Sequence, residues 1–222
     1  MPPAKAGARW RPPRGRHGLP PEVVARSQRE RLLEATMQVV AAKGYAATTV
    51  TDLTREAGIS RTTFYELFDD KEACFLAAYD NAVDGLVRRI TDAYEAEERW
   101  PDRARAGLAA LLEALAANPA QARLALVDVA AAGPAAQRRF RAAIGRLTPL
   151  LDEGRDFAPG GRGLPANASR MAAGAVVGLI SDELVEGRAE RLPSLLPELL
   201  FATLVGYLGP DEATREVAQA AR

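Results

Sequence analysis

The sequence predicts an all-α protein, a small N-terminal three-helix domain followed by a larger helical body. Alanine and leucine are abundant while β-branched runs are scarce, and no stretch alternates apolar with polar residues at period two. Apolar positions recur instead at three- and four-residue spacing between caps and breakers. The 222 residues suffice for one small domain and a larger body.

Residues 1–21 contain Lys5, Arg9, Arg11, Arg14 and Arg16, no acidic residue and several prolines. Such a segment cannot bury a core and reads as a disordered basic tail. It is either a solvated leader or an arm of the kind that reaches into a DNA minor groove. From Glu22 to Lys43 a long helix carries the apolar stripe Leu32, Leu33, Thr36, Val39 and Val40, Gly44 ends it, and Tyr45 caps the small core.

Thr48 to Lys71 then reads as two short helices joined by a tight turn. Thr49 is a good N-cap, and Asp52 at the third helical position can bond back to it. Val50, Leu53 and Ala57 make one apolar face, and Gly58 stands where a C′ residue needs positive φ. Ser60 caps the second helix, with Ile59 and Phe64 at the offset of a hydrophobic staple. Phe64, Leu67 and Phe68 fall inward, leaving Arg61, Thr62, Tyr65 and Glu66 facing out. This is a helix-turn-helix, the usual way for a small helical domain to read DNA. Arg61 and Lys71 lie in first turns, where a cation costs about 0.3–1 kcal/mol. A DNA phosphate between those helix ends would reverse that cost; the alternative is that both side chains bend into water.

The run from about Arg29 to Ala78 resembles the DNA-binding domain of the TetR family of transcriptional regulators. The likeness rests on the long first helix, T-T-V-x-x-L, A-G-I-S-R-T-T-F-Y-x-x-F, two acidic residues and K-E-A. It implies that Thr49, Arg61, Thr62, Thr63, Tyr65 and Lys71 contact phosphates or bases. Thr54 departs from the pattern, since the family more often carries Ala after an Ile, so helix packing there is expected to differ. The resemblance also implies a repressor that leaves its operator when a small molecule binds the helical body. The expected domains are thus a helix-turn-helix domain at 22–70, a helical ligand-binding and dimerisation domain at 71–210, and a C-terminal tail at 211–222.

The fourth helix, Asp70 to about Glu97, presents Phe75, Tyr79, Val83, Leu86 and Ile90 as one face of a connector out of the DNA-binding domain. Trp100-Pro101 is expected to break the chain. Body helices follow at Arg103–Ala117, Ala120–Ala132, Ala135–Glu153, Ala168–Glu186 and Pro193–Leu208, with one long loop from Gly154 to Pro165. Met171 to Ile180 leaves no polar face for more than two turns, and Leu195, Leu196, Leu199, Leu200, Leu204 and Val205 give its neighbour a similar excess. Such helices must be covered on both sides, by a partner or inside a monomer core. TetR-family dimers form a four-helix bundle from their last two long helices, so the resemblance makes Gly174, Gly178, Leu195 and Leu199 candidates for a homodimer interface.

The family's ligand-binding domain would further imply an internal cavity. Tyr79, Leu86, Leu111, Leu115, Leu126, Val129, Phe140, Ile144, Leu147 and Val177 are its apolar candidates, each equally readable as ordinary core. Asp128, set in the apolar run from Leu124 to Ala132, could orient a polar group on a ligand or pair with a helix neighbour.

Other functions find little support. The only cysteine, Cys74, excludes an intramolecular disulfide and reads as a buried small apolar residue. The only histidine, His17, lies in the basic tail, so no catalytic triad, metal site or cofactor is expected, and no phosphate-cradling glycine loop is present. A secretory h-region is lacking, and the longest apolar run is about half of a bilayer span, so a cytoplasmic protein without membrane attachment is expected. Up to Asp70, eleven cations face eight acids, a net +3 that leaves −3 for the remainder of a chain neutral as a whole. That asymmetry has the sign DNA binding needs. The expected partners are therefore an inverted-repeat operator in double-stranded DNA, a second copy of the chain and a small molecule. The rival readings are a helical enzyme, or a ligand-binding protein whose helix-turn-helix only packs.

Overall fold

The chain enters α1 (Pro21–Ala47) through two prolines, whose fixed φ suits a first helical turn. Gly44, at φ 79° and ψ 158°, breaks the helix and redirects the chain towards α2 (Val50–Ala57). The computed structural model describes residues 20–157 and 163–220, and among these there are helices and turns but no strand. Apart from Pro20 and Pro21, the basic tail expected at 1–21 lies outside the described residues.

Three elements complete the N-terminal half. The turn Gly58–Ser60 leads into α3 (Arg61–Leu67), and Asp70 caps α4 (Lys71–Glu95) by accepting from the Ala73 amide at 2.7 Å. Leu32, Leu33 and Val40 of α1 pack with Leu53 of α2, Phe64 of α3 and Cys74 and Phe75 of α4 in one core. Cys74 is fully buried with its Sγ 3.2 Å from Thr36 Oγ1, and burial pushes its thiol up to about 11. Thr54 is buried and donates to Thr51 O at 3.1 Å, so its hydroxyl is satisfied within its own helix. This core does not stop at α4: Leu124, Ala125 and Val129 of the body join it, because the short helix at Pro119–Leu126 packs on α1.

The body comprises α5 (Trp100–Ala117), α6 (Pro119–Leu126), a 3-10 turn at Asp128–Ala130, α7 (Pro134–Asp152), α8 (Gly154–Phe157), α9 (Ala168–Val185), a 3-10 stretch at Ala189–Leu195, α10 (Leu196–Leu208) and α11 (Pro210–Ala220). Trp100-Pro101 starts a helix instead of breaking the chain, since proline is at home in a first turn. The segment expected as one helix at 120–132 shortens to α6 and a 3-10 turn, while Pro193 falls in 3-10 geometry ahead of α10. The expected C-terminal tail is largely helical: in α11 Ala213 is fully buried and Glu216 is held by Arg99 at 2.6 Å.

The loop expected from Gly154 to Pro165 opens as α8, and 158–162 lie outside the described residues. Gly154 is a packing residue: a Cβ there would stand 2.3 Å from Trp100 Cζ2. Trp100 is fully buried, donates from Nε1 to Leu150 O at 3.1 Å and meets the Tyr207 ring edge-on at 5.0 Å. Among the described residues no helix is long and apolar enough to cross a membrane.

Candidate nucleic-acid interface and internal cavity

The outward face of the helix-turn-helix is built by local bonds. Thr49 accepts from the Asp52 amide while the Asp52 carboxylate accepts from the Thr49 amide at 2.9 Å and from its hydroxyl, a complete capping box. Lys43 Nζ reaches the same carboxylate at 2.5 Å, and Arg55 lies 3.6 Å away. These bonds, Lys43's first and then those of Thr49, hold the Asp52 carboxyl well below the usual carboxylate range. Gly58 adopts φ 65°, and Ser60 accepts from the Thr63 amide at 3.0 Å. The turn thereby fixes where α3 points.

On α3, Arg61, Thr62 and Glu66 are exposed, and Tyr65 keeps 51% of its surface in solvent although its ring stands edge-on to Phe64 at 5.3 Å. Thr63 is half-buried, its hydroxyl 3.0 Å from Ser60 Oγ, and the Thr49 hydroxyl is engaged by Asp52. Lys71 is also engaged. Its ammonium donates to Tyr45 O at 3.1 Å and lies 4.3 Å from the Tyr45 ring centre, which answers the unfavourable charge at a helix start. Lys43 escapes sequence reasoning, because its nine-residue distance from Asp52 has no helical period to reveal the pair.

Inside the body lies a cavity of about 120 Å³. Tyr79, Leu86, Leu111 and Leu126 line it, as do Phe140, Ile144, Leu147 and Val177. Leu115, Val129 and Asp128 do not. Leu115 is 2% exposed in the core between α5 and α9, and Val129 belongs to the core below α1. Asp128 is buried in its 3-10 turn with Oδ2 unpartnered, and burial raises its carboxyl more than Arg123 lowers it. Further wall comes from Val83, Val87 and Ile90, which continue the α4 stripe, and from Ala173, Val176 and Ile180 of α9. The stripe itself could have indicated the first three; the α9 face is concealed by a helix apolar all round.

That helix also presents a bare apolar face. Met171 is 67%, Leu179 42% and Val185 61% exposed, with Gly174 and Gly178 open between them, and Phe201 of α10 is 37% exposed. Leu195 is half-buried. Leu199 is 1% exposed and packs inward with Leu112 and Ile180, so it belongs to the protomer's own core and not to this face.

The fold is thus a helix-turn-helix with an exposed second helix, continuous with a helical body that carries an apolar cavity. Residues 32–78 match the family model described as "Bacterial regulatory proteins, tetR family". The HTH-type transcriptional regulator EthR of Mycolicibacterium smegmatis is 36% identical over 115 residues, which are 51% of this chain and 52% of EthR. The chain thus matches about half the length of that relative and less of others. In fold it is similar to the fatty acid degradation regulator FadR from Bacillus halodurans (TM-score 0.71, 18% identity, 80% of this chain and 94% of that one). It is similar too to FadR from Bacillus subtilis, solved with stearoyl-CoA (TM-score 0.70, 17% identity, 80% and 98%). Residues 32–78 thus form a DNA-binding domain of the TetR type.

Proposed function

We propose that the protein is a homodimeric transcriptional repressor of the cytoplasm, released from an inverted-repeat operator by a small molecule. Thr62 and Tyr65 would read the major groove, and Thr49, Arg61, Thr63 and Lys71 would hold the phosphate backbone. The observation that carries this reading is the course of α4. It starts at Lys71, beside the proposed DNA face, and forms cavity wall from Tyr79 to Tyr94. A ligand that displaces the middle of α4 therefore acts on an element whose first residue belongs to that face.

The bare apolar face of α9 and α10 supports a dimer, since a stripe holding Met171, Leu179 and Val185 is costly to leave in water. Two recognition helices related by a two-fold would enter successive major grooves about 34–36 Å apart. Linkage then requires that the ligand bind the free dimer more tightly than the DNA complex, by a coupling of typically about 1–3 kcal/mol.

The test is a titration of the protein against DNA from upstream of its own gene, with footprinting. Protection of two half-sites about one helical turn apart is expected. Phe140→Trp should fill the cavity and abolish ligand response while operator affinity stays. Binding to that DNA no tighter than to unrelated duplex would sink the regulatory reading for this operator.

A further inference from the structure

The arginines of α7 and α9 differ in their partners. Arg139 pairs with Asp80, and Arg146 with Asp84 at 2.6 Å, so α7 is stapled to α4 through carboxylates four residues apart. Arg141 and Arg170 are exposed and have no carboxylate partner among the described residues. Both line one groove between α7 and α9, together with Phe140, Ile144, Ala173 and Val177. Those four apolar residues also line the internal cavity, so groove and cavity share a wall. Arg170 stands in the first turn of α9, whose N-cap residue Asn167 makes no side-chain cap. A cation there is unfavourable until an anion joins it.

The cavity behind this groove offers little to a polar group. The Tyr94 hydroxyl donates to Leu150 O at 2.7 Å and Thr203 Oγ1 to Leu199 O at 2.8 Å, leaving the Tyr79 hydroxyl as the wall's uncommitted donor among the described residues. An ion inside would lose its hydration with one neutral hydroxyl to answer it, whereas the groove is lined by two arginines that no carboxylate engages among the described residues. The geometry points to an anionic amphiphile as the ligand: a slender apolar chain in the cavity, and a carboxylate or phosphate headgroup held between Arg141 and Arg170. This assignment rests on the ligand-responsive reading above and names its chemical class.

Calorimetric titration of the full-length protein with submicellar dodecanoate, dodecyl phosphate and 1-dodecanol tests it. At least one anion is expected to bind about tenfold or more tightly than the alcohol, the gain that charge-assisted bonds supply. Arg141→Gln with Arg170→Gln should erase that ratio by weakening the anion alone, and the corresponding Lys pair should restore part of it. The melting temperature of each variant reports folding, and the unchanged dodecanol affinity reports an intact cavity. Equal affinities for anions and alcohol, or a ratio that survives the Gln pair, overturn the headgroup assignment while the cavity reading stands. Failure of all three compounds to bind a protein that still binds DNA overturns the amphiphile and the proposed ligand-binding role of the cavity together.

Discussion

The Lys71 ammonium lies 4.3 Å from the centre of the Tyr45 ring and donates to that residue's carbonyl oxygen at 3.1 Å. Tyr45 in turn meets Phe75 edge-on at 4.9 Å, Phe75 stacks on Tyr79 at 6.5 Å, and Tyr79 is cavity wall. A run of contacts thus spans the distance from Lys71, at the start of α4, to the cavity. Coupling along it would show as a measured difference between two states, the ligand-free and the ligand-bound protein.

Lys71→Ala is expected to have two separable effects. Loss of the cation–π and carbonyl contacts should lower stability by roughly 1 kcal/mol. Loss of one phosphate partner should weaken binding to all DNA sequences alike and reduce the salt slope by about one. Denaturation and salt titration read the two separately, and an unchanged slope would remove Lys71 from the DNA face.

The exposed side chains of α3 should behave differently. Thr62→Ala and Tyr65→Ala are expected to cost operator affinity about 1–3 kcal/mol, the worth of a base contact. Their melting temperatures should stay close to the parent's, since both side chains are largely in solvent. Undiminished discrimination between operator and random duplex in both variants would move recognition elsewhere.

Gly154→Ala should destabilise the body, because its Cβ would overlap the buried Trp100 ring and the ring is tied to Leu150 O. Overpacking of this kind costs about 1–3 kcal/mol. Urea unfolding measures it, and a variant as stable as the parent would mean that the indole yields freely.

Asp128 supplies the pH test. Burial raises its carboxyl, so the folded chain keeps that proton to higher pH than the unfolded chain does. Folded protein therefore binds more protons in a window opening near the ordinary carboxylate value of about 3.9, and this group's contribution to stability falls as pH rises through it. Asp128→Asn should melt above the parent at neutral pH, and the gap should close towards about pH 4. A gap that widens in acid would contradict the sign.

Leu179→Glu and Leu199→Glu separate the bare face from the core. The first places a charge on a leucine that is 42% exposed and should yield folded monomers in sedimentation, with weaker operator binding. The second buries an unpaired charge and should unfold the protomer, an effect above about 3 kcal/mol. A Leu179→Glu protein that still sediments as a dimer would place the interface elsewhere.

Local order is legible in the chain itself. The Thr49–Asp52 capping box, the left-handed Gly58, the Ser60 cap and the Phe64 core position each depend on residues within a few places of one another, so sequence spacing specifies them. The exposed face of α3 follows from the same periodicity, as does most of the cavity wall along α4.

The remainder is decided in three dimensions. In α9 and α10, apolar side chains surround the axis, so no periodic signal says that Leu199 turns inward while Leu179 stays bare; the crossing of α10 on α5 and α9 decides it. Leu115 and Asp128 miss the cavity for the same reason, being apolar-run residues whose direction depends on what packs beside them. Gly154 reads as loop because glycine favours loops, yet the atom that requires glycine there belongs to Trp100, fifty-odd residues earlier in the chain. Contacts at such separation leave no local pattern, because steric exclusion acts between surfaces that only folding brings together.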